Sequence, residues 1–113
     1  MPDDAADAPR SLGRVVALVV DLMDRSKLQA AVPDITFARE PAGVADATVV
    51  VVDLARAGVS VAAVRAAAPD ARLVVYGPHV DGAAQQAALE AGADAAYARS
   101  QFFRNPALAL GLV

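Results

Sequence analysis

Short, almost entirely apolar runs alternate along this chain with longer stretches in which apolar residues recur at helical spacing. The strongest runs are rich in Val and leave no polar face, which is typical of strands covered on both sides of a sheet. The run Ala47–Val52 is the most hydrophobic and is predicted to be the central strand. Five strands are predicted in all, over residues 14–20, 34–38, 47–52, 72–76 and 94–98.

Helical spacing and turn residues predict the connections between these strands. We interpret Asp24, Asp81 and Asn105 as N-caps, because a short polar side chain can accept a hydrogen bond from the first turn of a helix. Pro33 and Gly92 are interpreted as helix stops. The predicted helices therefore begin near residues 24, 59, 81 and 106, and the connection over residues 39–46 has room for two helical turns at most.

This alternation of strands and helices indicates an α/β domain with a doubly wound, five-stranded parallel sheet. A chain of 113 residues has room for one such domain. We assign residues 14–113 to it. Residues 1–13 are rich in Asp, Ala and Pro without apolar periodicity, and they are predicted to form a disordered acidic tail.

Composition and charge narrow the classes of partner and compartment. Acidic residues outnumber basic ones and the net charge is -3, which argues against nucleic acid as a partner. The charge-free stretches are shorter than the ~20 residues of a membrane-spanning helix, so no membrane partner is expected. The chain has no Cys, which excludes disulfides and suits the cytoplasm, the localisation that we expect.

Polar residues directly follow four of the predicted strands. Asp21 follows the first, Asp53 the third, His79 the fourth and Arg99 the fifth. Ligands of parallel sheets bind at the carboxyl ends of the strands, so these side chains are candidates for one site. Each Asp could instead cap the turn that follows its strand, and the sequence leaves both roles open.

Four segments resemble the receiver domain of bacterial two-component response regulators. They are residues 15–21, 49–53, 73–78 and 91–99, and the resemblance runs from about Arg14 to the end of the chain. It implies a flavodoxin-like sheet with strand order 2-1-3-4-5, with short second and last helices.

The resemblance also assigns roles to the strand-end residues. Asp53 matches the aspartate that accepts a phosphoryl group, and Asp21 matches one of two adjacent acids that hold Mg²⁺. The second acid is replaced by Leu22, the usual Ser or Thr by Gly77, and the usual Lys by Arg99. The phosphorylation site is therefore expected to be incomplete, because Mg²⁺ prefers several oxygen ligands and Arg presents a planar fork rather than a point charge.

Other candidate residues complete this prediction. Gly77, His79 and Arg99 would form the phosphate pocket, and His79 would either bind a metal with Asp21 and Asp53 or pack in its loop. In receivers the face between the fourth and last helices serves for dimerisation or docking. The matching apolar residues here are Phe102, Phe103, Leu108, Leu110 and Leu112. One of the two Phe residues is expected to pack beneath the last helix, and core packing stays the alternative for each residue taken singly.

Three functions remain open at this stage. The first is a stand-alone pseudo-receiver that acts in signalling by binding a protein partner or itself. The alternatives are a working phosphoacceptor that uses Asp53 with Mg²⁺, and a small-molecule or metal-binding protein at the strand ends. No enzyme activity is predicted, because the chain has no Cys, one His and no nucleophile elbow around its Ser residues.

Overall fold

Five parallel strands form one sheet in the order β2-β1-β3-β4-β5 in the computed structural model. The structure describes residues 13–56, 58–78 and 82–112. Apart from Gly13, the predicted tail lies outside this range. The strands are β1 (Val15–Leu18), β2 (Thr36–Phe37), β3 (Val49–Asp53), β4 (Arg72–Gly77) and β5 (Ala95–Ala98). The predicted α/β class, the parallel sheet and its strand order are confirmed.

Helices connect the strands and continue beyond the last one. They are α1 (Leu22–Ala31), α2 (Val61–Ala67), α3 (Gly82–Glu90), α4 (Arg99–Arg104) and α5 (Pro106–Ala109). A short 3-10 helix, Pro41–Val44, stands in the connection between β2 and β3, where the sequence allows two turns at most. In the described part of the chain, no helix is long and apolar enough to cross a membrane.

Both faces of the sheet are buried, which explains why the strands are almost continuous in Val. Along β1, Ala17 packs into one apolar cluster with residues of α1, α4 and α5, including Leu28 and Phe102. Val16 and Leu18 point to the opposite face and pack with residues of the 3-10 helix, α2 and α3. Successive side chains of a strand point to opposite faces, so a strand buried on both faces has no position for a polar side chain.

The first helix begins two residues earlier than predicted. Asp21 is its N-cap, and the Asp21 carboxylate accepts a hydrogen bond from the Asp24 backbone N–H at 3.0 Å. The interpretation of Asp24 as the N-cap is therefore wrong. Both residues have a side chain that can cap a helix, and the choice falls to Asp21 because it has the extended backbone of an N-cap.

The C-terminal segment contains a helix that the sequence pattern did not predict. Helix α4 begins directly at the end of β5, and α5 then begins after Asn105, whose side chain accepts a hydrogen bond from the Leu108 N–H at 3.2 Å. Asn105 is thus confirmed as an N-cap. Gly92, which the sequence predicts as a helix stop, has a φ of 122°, a backbone conformation that favours glycine. Helix α3 ends two residues before it.

Two residues of the predicted interaction surface belong to the core instead. Phe102 and Leu110 are fully buried, Phe103 and Leu112 are partly buried, and Leu108 is 58% exposed. Because α4 starts at the end of β5, it turns Phe102 inward onto the ring of Tyr76, with a centroid distance of 4.9 Å. The predicted surface is therefore wrong for Phe102 and Leu110.

We predict that Phe102→Ala lowers the free energy of unfolding by about 3–5 kcal/mol, since it leaves a cavity beneath the Tyr76 ring. Urea denaturation followed by circular dichroism measures this change. Leu108→Ala is the matched control and should change stability by less than about 0.5 kcal/mol. If Phe102→Ala does not fold, Phe102→Leu should still fold with a loss of about 1 kcal/mol. Equal effects at positions 102 and 108 would contradict the burial of Phe102.

Candidate functional site at the strand ends

The carboxyl ends of β3, β4 and β5 lie side by side at one edge of the sheet. The strand register pairs Asp53 with Tyr76, and Tyr76 with Tyr97, two residues before Arg99. Asp21 follows β1, which pairs with β3. Both Asp21 and Arg99 act electrostatically on Asp53. The structure therefore brings Asp21, Asp53 and Arg99 to one edge, as predicted.

Asp53, the last residue of β3, is half-buried and carries a capping hydrogen bond. One oxygen of the Asp53 carboxylate accepts a bond from the Ala55 N–H at 2.9 Å. Partial burial raises the pKa of Asp53, and the negative charges of Asp24 and Asp21 raise it further. The Ala55 N–H and the positive charge of Arg99 act in the opposite direction, but the net pKa lies above the ordinary value. The Ala55 N–H and Arg99 thus compensate the negative charge of ionised Asp53 only in part.

Asp24 is the centre of a buried polar cluster at this edge. It is 2% exposed, and the two oxygens of its carboxylate have different partners. One accepts a hydrogen bond from the Tyr76 hydroxyl at 2.9 Å, and the other forms an ion pair with the Arg99 guanidinium. In the part of the chain that the structure describes, Asp24 is the one buried charged residue. The first turn of α1 therefore contributes a charge to the site.

Tyr76 holds the Asp24 carboxylate from the core side. Its ring is fully buried and lies between Phe102, which is stacked on it, and Phe103, which meets it edge-on at 5.1 Å. Burial raises the pKa of the Tyr76 hydroxyl strongly, and the nearby charge of Asp53 and the hydrogen bond to Asp24 raise it further. Tyr76 therefore stays protonated and donates its hydrogen bond.

Arg99 is held on a ring as well as by a carboxylate. It is the first residue of α4, and its guanidinium carbon lies 5.1 Å from the centroid of the Phe103 ring, one helical turn further on. The ammonium nitrogen of Lys27 lies 5.3 Å from the same centroid. Cations are attracted to the face of an aromatic ring. Phe103, predicted for a docking surface, thus supports Arg99.

Gly77 stands in a tightly packed place at the end of β4. It is buried, and a Cβ built on it would lie 3.3 Å from Gln85 Nε2 and 3.7 Å from Leu54 Cδ1. The amide of Gln85, on α3, therefore occupies the space beside Gly77. His79 and Asp81, which the sequence analysis also named, lie outside the described residues.

Within residues 13–56, 58–78 and 82–112, no group of three or more His, Cys, Asp or Glu side chains is arranged to hold a metal ion. Asp21 and Asp53 instead make the capping contacts that their positions also allowed. Asp21 binds a helix N–H and Asp53 a turn N–H. A third acid, Asp24, directs its carboxylate to Arg99 and Tyr76.

The sequence contained signals for the two residues that it did not assign to the site. Asp24 lies four residues before Leu28, which places both on the same stripe of the first helix. Because Asp24 was interpreted as an N-cap, its place on the buried stripe of the helix was not recognised. Tyr76 carries the one polar group among the apolar side chains that end β4, and such a tip needs a hydrogen-bond partner when it is buried.

An open cavity of about 720 Å³ lies away from this edge, near the start of β4 and β5. Its lining includes Arg65, whose guanidinium donates to the carbonyls of Gly92 and Ala71 and to the carboxylate of Asp94. Asp94 also accepts from the Leu73 N–H, and this bond together with Arg65 lowers the pKa of Asp94. These polar groups tie α2 to the loop before β5, so their role is structural.

Comparison with solved structures finds a similar fold. A response regulator protein from Burkholderia pseudomallei, solved with a phosphorylated aspartic acid, a calcium ion and citrate, matches with a TM-score of 0.72 at 20% sequence identity. The match covers 86% of this chain and 65% of that chain, so this chain spans less than two thirds of its length. The likeness shows a receiver-like, flavodoxin-like fold. No family model and no curated protein sequence matches this chain.

We predict that Asp53→Asn stabilises the protein at pH 7. The pKa of Asp53 is raised above 3.8 on folding, so its charge costs stability once the pH rises through the folded-state pKa. The gain should stay below about 1 kcal/mol, because solvent screens a half-exposed carboxylate. It should vanish near pH 3, where the carboxyl is protonated in both states. Urea denaturation at the two pH values measures it.

Asp46→Asn is the matched control for this change. Asp46 is exposed and lies 3.9 Å from the Arg14 guanidinium. Its charge therefore has no desolvation cost that neutralisation could remove. Its substitution should not stabilise the protein at either pH. A gain for Asp53→Asn that persists at pH 3, or no gain at pH 7, would contradict the raised pKa of Asp53.

Proposed function

We propose that this chain is a receiver-like signalling module that acts through protein contacts and has an incomplete phosphorylation site. The observation that carries the proposal is the ion pair between Asp24 and Arg99 beneath the Tyr76 hydroxyl. The cation that stands at the end of β5 is already paired with a carboxylate of the same chain. It is therefore not free to neutralise a phosphoryl group at Asp53.

The charge around Asp53 supports this proposal. Among the described side chains that act on Asp53, Asp21 and Asp24 carry the same sign as a phosphoryl group and Arg99 the opposite sign. Transfer of a phosphoryl group to a carboxylate depends on cations that neutralise the developing negative charge. The described charges that act on Asp53 are two negative and one positive, so an anionic donor meets net negative charge there.

The end of β4 supports the proposal independently. Gly77 has no hydroxyl to bind a phosphoryl oxygen, and the Gln85 amide nitrogen lies 3.3 Å from the position that a Cβ on residue 77 would take. Residue 77 therefore has no side chain that could bind a phosphoryl group on Asp53 and change the conformation of the domain in response. Without such a group, the module would signal through a surface that does not change with phosphorylation.

For that surface we propose the outer side of α5. Leu108 on α5 is 58% exposed. An exposed aliphatic residue there suits a protein partner or a second copy of this chain. Phe102 and Leu110, being buried, would support this surface from beneath without contacting the partner.

The test is incubation of the full chain with acetyl phosphate and Mg²⁺ at neutral pH, followed within minutes by intact-mass measurement. We expect no stable gain of a phosphoryl group, because Arg99 is paired and Asp53 lies in a negative environment. A working receiver treated in parallel shows that the reagent is active. Asp53→Asn is the second control and, like the wild type, should show no gain of a phosphoryl group over its own untreated mass.

A stable gain of one phosphoryl group in the wild type that is lost in Asp53→Asn would overturn the proposal in favour of a working phosphoacceptor. A complementary variant, Leu22→Asp combined with Arg99→Lys, restores two of the missing groups. Leu22 is 78% exposed, so an acid is tolerated there. This variant should gain phosphate in a larger fraction of molecules than the wild type does.

A further inference from the structure

Two carboxylates at the carboxyl edge, that of Asp24 on α1 and that of Asp53 at the end of β3, interact with the guanidinium of Arg99. Asp24 binds Arg99 directly, whereas Asp53 senses the positive charge of Arg99 at longer range. A single guanidinium cannot fully compensate both carboxylates. Which carboxylate it pairs with therefore decides the arrangement of this edge.

The ion pair joins parts of the fold that are distant along the sheet. Asp24 belongs to α1, which follows β1, and Arg99 follows β5. In the order β1-β3-β4-β5, three strand spacings separate these elements, or roughly 14 Å. Helix α1 and helix α4 pack on the same face of the sheet. The pair thus closes the carboxyl edge by connecting α1 with α4 over the ends of β3 and β4.

The surroundings of the pair hold it in one geometry. The Tyr76 hydroxyl occupies the Asp24 oxygen that Arg99 does not, and the Tyr76 ring is fixed between two Phe rings. The Phe103 ring supports the guanidinium of Arg99. Asp24 is buried, so loss of Arg99 would leave its charge uncompensated, which is costly. The arrangement is therefore favoured over one in which Arg99 turns to Asp53.

We infer that Asp24 is an internal anion that keeps Arg99 away from Asp53, so that the strand-end site is locked in one arrangement without modification or ligand. The inference deepens the proposed function and rests on it, since it states why the site would not respond to phosphorylation. Asp24 acts as a positioning residue, because it works through Arg99. Neutralising Asp24 should release Arg99, and Asp53 is then the carboxylate it would pair with.

The experiment measures the pKa of Asp53 by carbon-13 NMR in four full-length proteins: wild type, Asp24→Asn, Arg99→Gln and the double variant. With Asp24 present, we expect Arg99→Gln to change the acid dissociation constant of Asp53 by less than about threefold. With Asp24→Asn, we expect the same substitution to change it by about tenfold, as is typical of a direct opposite-charge neighbour. Equal effects in the two backgrounds would overturn the inference.

Tyr76→Phe is the matched control for this cycle. It removes the hydroxyl that supports Asp24 but leaves both charges of the ion pair in place. Arg99→Gln should therefore still have its small effect on the pKa of Asp53 in this background. A large effect there would mean that the hydroxyl, and not the charge of Asp24, holds Arg99 away.

A second measurement keeps the inference testable if Asp24→Asn does not fold. The side-chain Nη–H signals of Arg99 in nitrogen-15 NMR report the partner of the guanidinium, which binds Asp24 through Nη2, in the folded wild type and in Asp53→Asn. We expect the signals to be the same in both, because the partner is Asp24. A large shift in Asp53→Asn would overturn the inference. Neither NMR test involves phosphate, so failure of the proposed function in the acetyl phosphate test is a separate outcome.

Discussion

The burial of both faces of the sheet is the constraint on which the rest of this structure depends. A parallel strand such as β3 has helices above and below it, and each connection must return the chain to the same end of the sheet. All carboxyl ends therefore meet at one edge. Asp21, Asp53 and Arg99 come from separate parts of the sequence and lie together for this reason.

The same burial governs which polar groups this edge can accommodate. The carboxylate of Asp24 is almost fully removed from solvent, and it is accommodated because a hydroxyl and a guanidinium satisfy its two oxygens. Tyr76 suits this position because its ring belongs to the core while its hydroxyl reaches the polar group. The aromatic residues are few in this chain, yet Phe102 and Phe103 both pack against Tyr76 and so stabilise the site and the core together.

Fold and proposed function rest on sets of residues that overlap at Tyr76 but otherwise differ. The fold rests on small aliphatic side chains in the strands and helices, and its likeness to a response regulator structure holds at 20% identity. The proposed function rests on a few side chains at the carboxyl edge, where Asp24, Arg99 and Tyr76 form one cluster. A fold of this kind supports many functions, so the pairing of these side chains carries the functional argument.

Much of the fold could be predicted from the sequence, since its signals are local. Runs of Val marked the strands, turn residues such as Gly92 and Asn105 marked helix limits, and Asp21, Asp53 and Arg99 were found by their positions after strands. Helix α4 was not predicted, because Phe102 and Phe103 follow β5 without a helix-start signal. Their direction depends on the ring of Tyr76, which is distant in sequence.

The sequence by itself determined the five strands, the helices between them, the burial of the strands and the residues that directly follow them at the carboxyl edge. Tertiary structure alone decided how those residues pair. The choice of Asp21 as N-cap turned Asp24 inward, and the position of β5 brought Arg99 to it from 75 residues away in the chain. Partners so far apart leave no mark on local periodicity, because only the packing of the helices on the sheet sets the distance between them.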